Sequence, residues 1–74
     1  MPLVTLTVRK PKSRAFKAGV LDAVHAALVS SGVPPADKFQ RVFELDADDF
    51  RFDQNYPDLK SERSEDFVLI EILW

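Results

Sequence analysis

Cysteine is absent from this chain of 74 residues, histidine occurs once, and glycine twice. No disulfide can form, and a closed zinc site built from Cys and His ligands is excluded. Apolar runs long enough to cross a bilayer are missing, and MPLVTLTVRK lacks the charged-then-apolar layout of a signal peptide. The expected location is therefore the cytoplasm, with no membrane partner. A dominant charge is missing too: 10 Lys and Arg oppose 12 Asp and Glu, for a net charge of −2. The basic cluster RKPKSRAFK is enough to steer an anionic small molecule, but too small and too poor in interleaved aromatics to imply nucleic acid.

What is present is 46% hydrophobic residues in one short stretch of chain. A domain of this size buries only about 60% of the surface its unfolded chain exposes, so its own core is marginal. Small domains compensate with disulfides, metals or partner subunits. With cysteine absent, a homo-oligomer is the expected device, and residues 1–74 read as a single domain.

The hydrophobic pattern gives the elements. In LVTLTV, Val4, Leu6 and Val8 fall on one face and Leu3, Thr5 and Thr7 on the other, which predicts a strand over 3–8. Ser13 is a candidate N-cap for a helix over 14–31, with Phe16, Val20, Val24 and Leu28 on its apolar face and Gly32 just past its end. His25 lies mid-helix beside Val24 and Leu28 and reads as a packing residue. Pro34-Pro35 forbids continuation. KFQRVFEL alternates again and predicts a second strand over 39–45. Strand, helix and strand with short joints make a right-handed crossover with the two strands parallel. The long polar segment after it carries Phe50, Phe52 and Tyr56, which are expected to pin it down. FVLIEILW predicts a third strand over 67–73, apolar on both faces. Such a strand needs cover on both sides, so either another subunit buries the second face or residues 1–74 form the front part of a longer two-unit subunit.

Pro2 stands at the head of the first strand, a position where a missing N–H costs nothing. With Met1 removed, it becomes a secondary amine at the chain terminus. α-Amino groups have a reference pKa of about 7.7–8.0, and apolar burial or a nearby cation lowers it. Such an amine can take a proton from a carbon beside a carbonyl and return it elsewhere, or act as an acid if it stays protonated.

Pro2, VLDAVHAALV in the helix, GVPPADKFQ after it and FVLIEI near the end together resemble the tautomerase superfamily, and within it the malonate semialdehyde decarboxylase-like branch. The resemblance covers nearly all of the chain. It implies an α+β fold built on a β-α-β unit, with the helix on one face of the sheet, assembled as a trimer of two-unit subunits or a hexamer of single units. It also implies cofactor-independent proton transfer by Pro2 on a small keto or enol carboxylic acid. Asp37 matches the branch's aspartate by motif, and would polarise a water or keep the amine protonated. Lys12 stands where short tautomerases carry an arginine after the first strand, and Arg41 on the second strand is a further candidate; both would bind a substrate carboxylate. Tautomerisation and decarboxylation or hydration remain open. The alternative is a non-catalytic oligomer subunit or binding protein of the same fold.

Overall fold

The computed structural model describes residues 1–58 and 60–74. Its elements run β1 (Leu3–Arg9), α1 (Arg14–Ser30), β2 (Phe39–Leu45), a 3-10 turn (Ala47–Asp49) and β3 (Leu69–Leu73). The sheet has the order β2-β1-β3, with β1 parallel to β2 and antiparallel to β3. This is the expected β-α-β unit with a third strand on the free edge of β1.

β1 is central, and its side chains show why. Val4, Leu6 and Val8 are buried beneath α1, where Val4 meets Leu28 and Val33, with Leu21 and Val24 packed against them. Thr5 and Thr7 are buried on the other face. Phe16, Val20 and Val24 are only half-buried, and of the expected apolar face of α1 Leu28 alone is buried. The cause is geometric: α1 packs on the sheet with no second helix beside it, so residues toward the sides of its apolar face keep part of their surface in solvent.

Both helix ends follow local rules. The Ser13 hydroxyl accepts from the Phe16 N–H at 2.9 Å, satisfying one of the free donors of the first turn. The other end is a Schellman motif: Val33 N–H donates to Leu28 O at 3.1 Å and Gly32 N–H to Val29 O at 3.0 Å. Gly32 sits at φ 111°, which a side chain would resist. Ser31 is thus the cap rather than the last helical residue, and buried Val33 plugs the exit of α1 into the core.

The segment between β2 and β3 is held by aromatic contacts. Phe50, Phe52 and Phe67 form a cluster, with ring centroids 4.5 Å apart for Phe52 and Phe67 and 5.4 Å for Phe50 and Phe52. Tyr56 is instead 73% exposed, and Phe67 takes the role expected of it. Because Phe67 turns into this cluster, β3 begins at Leu69 rather than at 67. Every residue of β3 is exposed in the single chain.

Candidate functional site

Two ends of β1 carry the residues singled out by the sequence. At the N-terminal end, the parallel register sets Leu3 opposite Phe39. Continued by two residues, it brings positions 1 and 2 level with 37 and 38. The chain's N-terminal nitrogen, on Met1, lies 3.6 Å from Asp37 Oδ2. Pro2 itself is fully buried beside the core, whereas Met1 is exposed. The crossover thus brings the terminus and Asp37 together although 36 positions separate them in the numbering.

Asp37 is placed by a short turn. Its N–H donates to Pro34 O at 2.9 Å, and Lys38 N–H donates to Ala36 O at 3.0 Å. From α1, His25 Nε2 makes a 2.9 Å hydrogen bond with the carbonyl oxygen of Pro35. His25 is therefore tied to the segment that bears Asp37, a role the helical pattern did not disclose.

Lys12 lies beyond the other end of β1. Seven strand residues span about 20 Å, so Lys12 is not brought to Pro2 within one chain. Its side chain is 6% exposed, its Nζ donates to Arg9 O at 2.9 Å, and Asp66 Oδ1 stands 3.5 Å away. Glu44 completes this end. It accepts from Lys17 Nζ at 2.8 Å and from the Lys12 N–H at 3.0 Å. Those contacts, with the Lys17 hydrogen bond the largest, hold the Glu44 carboxyl below its ordinary value. A signal for this pair was available: Glu44 alternates onto the helix-covered face of β2, where a carboxylate calls for a cation.

Arg41 occupies the sheet face turned away from α1. It stands opposite Thr5, and its Nε donates to Thr5 Oγ1 at 3.0 Å. Glu71 pairs with Thr5 from the other side, which gives the row Arg41, Thr5, Glu71 across the sheet. A cavity of about 250 Å³ opens there between Arg41, Glu71, Phe43 and Leu73. The guanidinium lies 5.4 Å from the Phe43 ring centroid, a geometry that favours a cation over an aromatic face. Thr5 is three residues, about 10 Å, along β1 from Pro2.

No family model and no curated protein matches the chain. Among solved structures, the chain is similar to FG41 malonate semialdehyde decarboxylase in its crystal structure inhibited by 3-bromopropiolate. The two share 30% identity with a TM-score of 0.78, over 92% of this chain and 51% of that one. The chain therefore spans about half the length of that enzyme. The likeness spans nearly all of this chain and bears out its resemblance to the tautomerase superfamily.

Proposed function

We propose that this chain, which has the tautomerase-superfamily fold, is a cofactor-independent enzyme in which Pro2, freed by removal of Met1, moves a proton on a small keto or enol carboxylic acid. The observation that carries the reading is that the crossover brings the head of β1 beside Asp37: the Met1 nitrogen lies 3.6 Å from Asp37 Oδ2, and Pro2, next in the chain, is fully buried. A rigid ring on a strand of a sheet fixes where the nitrogen points.

The Asp37 carboxylate favours the protonated form of a Pro2 amine, because an opposite charge stabilises it. That arrangement supports the acid role. In decarboxylation of a β-keto acid, the bond to the carboxylate carbon breaks and carbon dioxide leaves. The electron pair passes to the ketone oxygen, and the enolate takes a proton from the Pro2 ammonium, which water then restores. As a neutral amine, Pro2 would instead remove a proton at one atom and return it at another, the balance of a tautomerisation. Arg41 is the cation proposed to bind the substrate carboxylate. Lys12, engaged at the far end of β1, is left to structure.

Assembly belongs to the same proposal. Phe39, Phe43, Leu69 and Leu73 are exposed on the sheet face that α1 leaves open, and a homo-oligomer would cover it. This apolar face would equally serve a non-catalytic subunit, so activity has to be tested directly. Malonate semialdehyde and phenylpyruvate enol are suitable probes, one for each chemistry. Pro2→Ala should lower kcat by about 10²–10⁴-fold on the probe that is turned over. Asp37→Asn should harm decarboxylation more than tautomerisation. Light scattering on the same sample should report an oligomer. Full activity of Pro2→Ala on both probes, or a stable monomer at micromolar concentration, would contradict the respective part.

A further inference from the structure

We propose that His25 is a positioning residue for Asp37: its ring clamps the Pro35 carbonyl and so fixes the turn that holds the carboxylate beside the chain terminus. The inference rests on the reading of Pro2 and Asp37 given above and deepens it.

The turn over 34–38 needs an external anchor. Its two internal hydrogen bonds, Asp37 N–H to Pro34 O and Lys38 N–H to Ala36 O, set its shape but not its place. Pro34 and Pro35 have no N–H with which to tie the turn to the sheet or the helix. Pro34, Pro35 and Ala36 are exposed, so burial does not hold them either. The flanking anchors are Val33, plugged into the core, and Phe39, in register with Leu3. Between them, and among the described residues, the hydrogen bond that reaches the turn from another element is that of His25 Nε2 to Pro35 O, at 2.9 Å.

The chemistry of this bond is defined by its acceptor. A carbonyl oxygen cannot donate, so Nε2 must carry a hydrogen. The pair that this bond supports is sensitive to place. At 3.6 Å from the Met1 nitrogen and with a partly exposed side chain, Asp37 is near enough to the head of β1 to stabilise a charge there but is not locked by a short hydrogen bond. A turn free to move by an ångström or two would leave the carboxylate in solvent, where screening weakens its effect.

The test uses reach rather than removal alone. The amide nitrogen of Gln extends about as far as the histidine Nε2, and that of Asn falls short. In protein beginning at Pro2, the Pro2 amine would be titrated by NMR in the parent, Asp37→Asn, His25→Gln, His25→Asn and the His25→Asn/Asp37→Asn double variant. Asp37→Asn should lower the midpoint, because it removes the carboxylate that favours the ammonium. His25→Asn should lower it part of the way, His25→Gln should keep the parent value, and the double variant should fall no lower than Asp37→Asn. Losing one such hydrogen bond should also reduce kcat on malonate semialdehyde about fivefold, with KM little changed. A parent-like midpoint in folded His25→Asn, with Asp37→Asn shifted, would overturn the role of His25 and leave the site intact. An unshifted midpoint in Asp37→Asn would overturn the site itself, and the clamp with it.

Discussion

At the C-terminal end of β1, charges are spent on structure. Arg9 donates from Nε to Phe50 O at 2.8 Å, lies 4.1 Å over the Phe52 ring and contacts Glu65. Lys12 and Glu44 are each held by two partners. At the N-terminal end, the Asp37 carboxylate stands 3.6 Å from the Met1 nitrogen, and Pro2, next in the chain, is fully buried. The same strand therefore has a saturated end and a sparsely held end. Saturation fixes side chains and leaves them less to offer a ligand, whereas the sparse end keeps a charged group whose partner can change. That contrast is the physical basis for proposing chemistry at Pro2 and Asp37 rather than at Lys12.

The saturated end can be broken by removing Arg9. Arg9→Ala deletes a cation–aromatic contact and a hydrogen bond to the loop, and should cost about 2 kcal/mol of stability in urea unfolding. Turnover per folded molecule should stay near the parent value. Lys12→Met keeps the buried stem and drops the charge, so about 1 kcal/mol or less is expected. KM for a carboxylate probe should be unchanged; a tenfold rise would return Lys12 to the substrate site.

The smallest effect concerns pH. The Glu44 carboxyl is held below its ordinary value of 4.5 by Lys17 and the Lys12 N–H. A lowered carboxylate contributes stability that is present above its unfolded value and lost as pH falls through its folded one. Stability should therefore decline on acidification below about pH 4.5, and thermal melts of Glu44→Gln should show a shallower decline over that range.

Much of this architecture could be read from local pattern. Alternation in LVTLTV separates the helix-covered face from the open one, Ser13 and Gly32 bound α1, and a short-jointed crossover makes β1 and β2 parallel. The juxtaposition of positions 1 and 37 follows from that crossover once the register is known. Other features depended on how distant segments fold back. Phe67, not Tyr56, joins Phe50 and Phe52, and nothing in the spacing of aromatics distinguishes them. The partners of Lys12 come from Arg9 and from Asp66, more than 50 positions on. His25 looked like a core residue because helical periodicity reports a face, not the loop that lies across it.

Blocking the Pro2 nitrogen, without altering any side chain, tests whether a free proline amine performs the reaction. The chain should be prepared in two forms, one beginning at Pro2 and one retaining Met1, with intact mass confirming each. Initial rates on malonate semialdehyde and phenylpyruvate enol should be measured side by side. Turnover is expected from the form with free Pro2, and at least a hundredfold less from the form in which Pro2 is an amide, roughly the loss of one general acid or base. Equal rates from the two forms would contradict that role of Pro2.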